Sequence, residues 1–359
     1  MAFWLDIAAF ALKALVIVAA LGAFAALVAR LTRPDARRVR REIEVRSLNE
    51  RYDQMRDALL DAEILDGKER RSLARARKRE AKNLAKNLAK NLAKSRGAAP
   101  AGKRIYVLGF KGDPMASSVE RLAREIDAVL TVARPETDEI VLRLQSPGGT
   151  VTGYGLAAAE ISRLRYAKIR VTVSVDQVAA SGGYMMACAA DKIVAAPFAL
   201  IGSIGVVAQV PNLHRLLKKN DIDFEELTAG EFKRSVSMLG EITPAGREHF
   251  RGKIEETHLA FKSFVAERRP AADLAKVANG DVWLASEAMS LGLVDALSTG
   301  DDLLFRLKDE ARLFEVTITA RKTLLQHLLG GLGFEAASPL APLAPLAAIA
   351  KAFGAVRRD

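Results

Sequence analysis

From Arg104 onward the chain alternates short, almost uninterrupted apolar runs with longer amphipathic stretches. This alternation limits the fold more than any other feature of the sequence. "RIYVLGF", "DEIVLRLQ" and "IRVTVSVD" are of strand length and rich in β-branched residues, whereas "SSVERLAREIDAVLTVA" and "GYGLAAAEISRLRY" carry helical spacing. Strand–helix units in series predict a layered α/β domain with largely buried strands. "DKIVAA" and "IGVVAQV" read as further strands. "TPAGREHFRGKIEETHLAFKSFVAERRP" reads as a long helix opened by Thr243, with Pro244 at its first position. The 18 residues from Ile193 to Val210 carry no charge, and by hydropathy alone they would be a membrane span. Pro197, Gly202 and Gly205 divide them into strand-length pieces, so we assign them to the buried sheet.

The run from Ile7 to Ala29 is of another kind: 23 residues interrupted only by Lys13. A membrane-crossing helix needs about 20 such residues. No Lys or Arg precedes the run and arginines follow it directly, which fits a retained transmembrane anchor over residues 1–31 better than a cleaved leader. The net charge of +11 resides in the next segment, since Arg30 to Arg104 holds 23 Lys and Arg against 11 Asp and Glu. We read residues 32–103 as a basic helical stalk and linker. Its cations suit an anionic lipid surface. They are not interleaved with aromatic residues, which argues against nucleic acid as a partner. Residues 104–315 form the expected main α/β domain, and residues 316–359 a Pro-, Leu- and Ala-rich tail. The single cysteine, Cys188, rules out an internal disulfide and a Cys-based zinc site, and its apolar surroundings mark it as a buried, inert thiol.

Two glycine turns follow strands: "SPGG" at Ser146 to Gly149 and "ASGG" at Ala180 to Gly183. A serine at a strand-to-helix turn sits at the positive end of the helix. The N–H of Gly182, next in the chain, can face a developing oxyanion, and Gly149 is the candidate for the second donor. Loss of one such donor typically costs about 2.7–4 kcal/mol of transition-state stabilisation. The base for Ser181 is harder to find. His214, in "HRLLKK", is on a basic helix face, His249 and His258 are on the long charged helix, and His327 is near the tail; all four read as surface residues. A lysine can replace histidine where burial keeps its amine neutral. Lys233, in "LTAGEFKRSVSMLG", is available, although by itself it reads as an ordinary surface lysine.

Three stretches, "LRLQSPGGTVTGYGLAAAEISRLR", "VDQVAASGGYMMACAADKIVAAPFALIGSIGVVAQVPNLHRLLKK" and "LTAGEFKRSVSMLGEITPAGRE", closely resemble the membrane-anchored proteases of the signal peptide peptidase A family. The resemblance runs from the anchor to about residue 300. It implies a ClpP/crotonase-like α/β fold of repeated strand–strand–helix units and peptide hydrolysis by a serine–lysine dyad. Ser181 matches the nucleophile, and Lys233, 52 residues later, matches the general base. Ser203 of "IGSIGV" matches a serine that orients the lysine, and Gly149 and Gly182 match the oxyanion donors. The family implies no cofactor and no metal. As partners it implies peptide substrates, such as signal peptides or other unfolded or membrane-derived peptides, the lipid bilayer, and further copies of the chain in a homo-oligomer. Some members complete the dyad between neighbouring copies. The implied location is the bacterial inner membrane, crossed once. On the side of the catalytic domain two arguments differ. Arg30, Arg33, Arg37, Arg38, Arg40 and Arg41 favour the cytoplasm, whereas the resemblance favours the periplasm. Two other classes stand against this reading: a crotonase-type acyl-CoA enzyme, disfavoured by the intact "ASGG" and "AGEFK", and a non-catalytic membrane scaffold.

Overall fold

A computed structural model describes residues 41–63, 72, 75–76, 79, 83 and 102–320. The expected anchor, most of the stalk and the tail beyond residue 320 lie outside the described residues. Among the described residues no helix is long and apolar enough to cross a membrane. One compact unit spans Ile43–Ile318.

Its centre is a seven-stranded sheet. The strands are β1 (Arg41–Ser47), β2 (Arg104–Lys111), β3 (Glu139–Gln145), β4 (Arg170–Val175), β6 (Lys192–Ala195), β9 (Ala296–Leu297) and β10 (Arg312–Ala320), in the order β1-β10-β2-β3-β4-β6-β9. All ladders from β10 through β9 are parallel. The alternation of side chains along the strands separates two apolar layers. Leu108, Phe110, Leu142, Leu144, Val171 and Val173 face one side, where helices α2 (Val119–Leu130) and α3 (Val151–Tyr166) bury Leu122, Ile126, Val129 and Ile161. Ile105, Val107 and Val141 face the other, against Leu48 of helix α1 (Leu48–Glu63) and Leu304 of helix α9 (Gly300–Leu307). Sheets covered on both faces need strands that are nearly continuous in apolar residues, which is the pattern of "YVLGF" and, apart from the half-buried Arg143, of "IVLRL".

A second, three-stranded sheet holds β5 (Val178–Ala180), β7 (Leu200–Gly202) and β8 (Val282–Leu284), with β5 and β7 parallel and β7 and β8 antiparallel. β4, β5 and helix α4 (Gly182–Cys188) make one strand–strand–helix unit. The remaining helices are α5 (His214–Lys219), α6 (Pro244–Arg268), α7 (Leu274–Val277) and α8 (Ala285–Ser290). Thr243 caps α6, its hydroxyl accepting from the Gly246 N–H at 3.1 Å, with Pro244 at the first helical position as its sequence implied.

Three expectations change. The charge-free run from Ile193 to Val210 does break into short buried strands, β6 and β7, but "IGVVAQV" is not a strand. Residues 204–210 are irregular, and Val207 is 80% exposed, because no neighbouring strand pairs with them. "FEELTA" is likewise irregular. Residues 43–63, read as solvated stalk, contribute to the compact unit. The Asn49 amide donates to the carbonyls of Lys308 and Ala311 at 2.8 and 3.1 Å and accepts from the Leu313 N–H at 2.7 Å. One half-buried polar residue thus anchors the start of α1, and "EVRS" pairs as strand rather than helix.

Candidate functional site

Ser181 stands at the end of β5, immediately before α4. Its backbone is at φ 52°, ψ −122°, a conformation that costs a non-glycine residue about 1–3 kcal/mol. The strain is held from several directions. The Ser181 N–H donates to the Gly202 carbonyl at 2.8 Å, which follows from the register pairing Ala180 with Gly202. The Ser181 carbonyl accepts from the Met185 N–H in the first turn of α4. Gly148, at φ +92°, packs so closely that an added Cβ would lie 2.7 Å from the Ser181 Cβ and 2.8 Å from the Gly182 nitrogen. Gly182 in turn rests on the Tyr154 ring, where a Cβ has no room.

The β5–β7 register also brings Ser203 beside Ser181. Ser203 is itself at φ 51°, and its N–H donates to the Asp281 carbonyl at 2.6 Å. His258, on α6, places its Nε2 3.2 Å from the Ile204 carbonyl, so it touches the backbone that carries Ser203 and not the serine. The indole nitrogen of Trp283, which faces Gly202, is buried and has no hydrogen-bond partner among the described residues.

The "SPGG" turn reaches this centre through Ser146. Its N–H donates to the Val178 carbonyl at 2.9 Å and its carbonyl accepts from the Ala180 N–H at 3.0 Å, which fixes the turn against β5. Gly148 donates its N–H to the Ser146 hydroxyl at 3.1 Å. Gly149 is exposed, and its N–H, like that of Gly182, takes no partner among the described residues. Two uncommitted backbone donors therefore flank the serine turn, one on each side of Gly148. Free backbone donors stabilise a developing oxyanion where they converge on it. The sequence reading of these turns did not include Ser146 and Tyr154, although both lie within the quoted stretches. The signal was a polar pair at spacing eight around a Gly-rich turn, which only the packing connects.

Lys233 is elsewhere. It lies in the segment 205–243, between β7 and α6, where Ser237 alone is buried. That segment is tied mainly to itself and to α6. Leu213 donates to the Met238 carbonyl at 2.8 Å, Asn212 to the carbonyls of Ser237 and Gly240, and Ser237 to Glu226 at 3.0 Å. Phe232 stacks on His249 of α6 at 3.9 Å. Lys233 is exposed and makes no hydrogen bond or ion pair with Ser181 or Ser203. The structure thus brings together Ser181, Ser203, Gly182 and the turn of Gly149, and leaves Lys233 outside that group. His214 is half-buried at the head of α5, and His327 lies outside the described residues. Cys188 is buried, and burial raises its thiol pKa to about 12, so it holds no thiolate to serve as a nucleophile. A cavity of about 450 Å³ at the C-terminal ends of β2, β3 and β4, lined by Lys111, Arg143, Gln145 and Asp176, includes none of the candidate residues.

Comparison with known proteins gives a consistent picture. The model of peptidase family S49 matches residues 163–313, and that of the N-terminal part of peptidase family S49 matches residues 2–161. A probable protease SohB of Haemophilus influenzae is 54% identical over 222 residues, covering 62% of this chain and 63% of that protein. One from Buchnera aphidicola is 50% identical over 224 residues, covering 62% and 66%. Protease 4 of Salmonella typhi is 32% identical over 181 residues, covering 50% of this chain and 29% of that protein. The matched stretch therefore spans just under two thirds of the SohB relatives' length. Among solved structures, a ClpP1 mutant from Listeria monocytogenes overlaps 60% of this chain and 98% of its own at 16% identity and a TM-score of 0.36. At that score the overlap leaves the architecture to be read from the strand order above.

Proposed function

We propose that this chain, which belongs to peptidase family S49, is a serine endopeptidase with Ser181 as nucleophile and Lys233 as general base. The observation that carries the reading is the Ser181 turn: a strained serine at the head of α4, its own N–H spent on Gly202, between the unspent N–H groups of Gly149 and Gly182. Strain of this kind persists only where the surroundings over-determine it, and it gathers at active sites.

The reaction we assign is acyl transfer. Ser181 attacks the substrate carbonyl while Lys233 takes the hydroxyl proton and passes it to the leaving amine. Gly149 and Gly182 hold the oxyanion, Ser203 orients the lysine, and water then hydrolyses the acyl-enzyme. Lysine works as a base only with its amine neutral, which requires burial. The exposure of Lys233 in the single chain therefore supports a second proposal, that the chain works as a homo-oligomer. In it a neighbouring copy covers segment 205–243, where Val207, Leu213, Leu216, Ile222, Phe224, Leu227 and Phe232 are all exposed. The substrates we assign are unfolded peptides, including signal peptides and other membrane-derived segments. The run Ile7–Ala29 would anchor the enzyme in the bacterial inner membrane as a single pass. We assign no role to nucleic acid, metal or cofactor.

Purified Ser181→Ala, assembled and incubated with a peptide pool, should retain uncleaved peptides identifiable by mass spectrometry. Cleavage at the wild-type rate by that variant would end the serine-peptidase reading.

A further inference from the structure

Between the two candidate oxyanion donors runs a buried chain of hydroxyls. Tyr154, on the first turn of α3, is 0% exposed, and so is Ser146. The Tyr154 hydroxyl donates to the Asp113 carbonyl at 2.9 Å. That leaves the Ser146 hydroxyl as donor in the 2.6 Å bond it shares with Tyr154. With its own proton so placed, the Ser146 oxygen is an acceptor for the Gly148 N–H at 3.1 Å. The order Gly148 N–H to Ser146 to Tyr154 to Asp113 is thus fixed in direction by the carbonyl at its end, which has no proton to give. Burial raises the Tyr154 pKa, with the Ser146 bond opposing, so the phenol stays protonated and able to donate.

The chain is closely packed along its length. An added Cβ at Gly112 would clash with the Ser146 and Tyr154 hydroxyls, and one at Gly183 with the Ser146 carbonyl. Gly149, next after Gly148, has its Cβ direction closed by the Pro114 carbonyl, which also accepts from the Thr150 N–H at 2.8 Å. The face of the same Tyr154 ring supports Gly182. One side chain therefore touches both halves of the oxyanion site: its ring sets the height of Gly182, and its hydroxyl, through Ser146, sets the turn that presents Gly149.

We propose that Tyr154 and Ser146 are positioning residues for the oxyanion site. By consuming the Gly148 N–H internally, they leave the Gly149 N–H as the free donor and fix its distance from that of Gly182. The proposal rests on the reading of Ser181 as nucleophile. A misaligned donor should weaken the transition state but not substrate binding, because the oxyanion exists only in the former.

The test uses the full-length, assembled protein and a fluorogenic peptide. Tyr154→Phe keeps the ring under Gly182 and removes only the hydroxyl. It should lower kcat about tenfold, less than the 10²–10³ of deleting an oxyanion donor outright, with KM within about twofold. A peptide aldehyde, whose adduct on Ser181 carries the tetrahedral oxyanion, should lose affinity by the same factor, while binding of an uncleaved peptide to Ser181→Ala should not change when Tyr154→Phe is added. Ser146→Ala should act alike and carries the test should Tyr154→Phe not fold. The double variant should be little worse than the poorer single, because the two residues act as one unit. Unchanged kcat in both single variants, or an equal loss of aldehyde and uncleaved-peptide affinity, would overturn the proposal. If Ser181→Ala itself cleaves at the wild-type rate, the nucleophile assignment fails instead, which separates the two outcomes.

Discussion

The turn that carries Ser181 is enclosed by buried Ser146, Gly148, Tyr154 and Gly202, while the segment that carries Lys233 buries only Ser237. In the first region a non-glycine residue is held at positive φ by backbone bonds to one strand and one helix. In the second, large apolar side chains stand in solvent, Leu227 at 87% exposed. The proposed nucleophile and oxyanion donors are thus positioned within the single chain, as preorganised electrostatics would require of them. Lys233 is exposed in the single chain, and its proposed role as base requires a cover that the proposed assembly would supply. The contrast separates a framework that fixes the Ser181 turn from an exposed segment that, under the proposal, a neighbouring copy completes.

The sharpest way to break this contrast is at its two ends. Ser181→Ala should abolish peptide cleavage, by a factor on the order of 10⁴–10⁶, as losing a nucleophile does elsewhere. Lys233→Arg should fall nearly as far, since guanidinium keeps the charge but cannot accept a proton. Cleavage by a folded, assembled Lys233→Arg at more than a tenth of the wild-type rate would remove the lysine from the mechanism. Mixing the two inactive variants sharpens the point. If one copy's segment serves its neighbour's serine, co-assembled Ser181→Ala and Lys233→Ala should recover a measurable part of the activity. Full inactivity in verified mixed oligomers would place both residues in one chain.

The framework itself should be sensitive to a single carboxylate. Asp138, at the head of β3, is almost fully buried and takes side-chain bonds from Arg104 at 2.6 and 3.0 Å and from Arg134 at 2.7 Å. Asp138→Asn should cost about 1–3 kcal/mol in urea unfolding, because it weakens charge-assisted bonds from two half-buried guanidinium groups to a buried acceptor. Burial opposes ionisation of Asp138, yet bonds from Arg134 and Arg104 hold its carboxyl well below the usual range. A depressed carboxylate stabilises the fold above its unfolded pKa of about 3.9 and loses that contribution as pH falls further. The wild-type urea midpoint should therefore drop below about pH 4 more steeply than that of Asp138→Asn; parallel curves would contradict the assignment.

The smallest effect is expected in the projecting segment. Leu227→Ser should change unfolding stability by less than about 0.5 kcal/mol, as a solvent-facing substitution does. In analytical ultracentrifugation the same variant should shift the protein toward smaller species. A large loss of stability with assembly intact would mean that the segment packs within its own chain.

Much of this division was legible in the sequence. The strand–helix alternation after Arg104 located β2, α2, β3, α3 and β4, since buried parallel strands read as largely apolar runs of strand length. Pro197 and Gly202 marked where an 18-residue apolar run breaks into β6 and β7. What misled was the continuation, "IGVVAQV", because an apolar run that stays irregular and partly exposed in the single chain has the same local pattern as a buried strand. The strand at Arg41–Ser47 was hidden inside a charged segment, where pairing with a distant strand outweighs local pattern. At the site, the glycine turns pointed to Ser181, Gly182 and Gly149, but the Ser146–Tyr154 link depends on how α3 packs beneath the turn, which the spacing of the two residues alone does not reveal.

The most direct test of the central claim is labelling with a fluorophosphonate, located by mass spectrometry, on the assembled wild-type protein and on Lys233→Arg. The account predicts one adduct, on Ser181, formed at least about a hundredfold more slowly in Lys233→Arg, since an unassisted serine is a weak nucleophile. An adduct on another serine, or equal labelling rates in the two proteins, would contradict it.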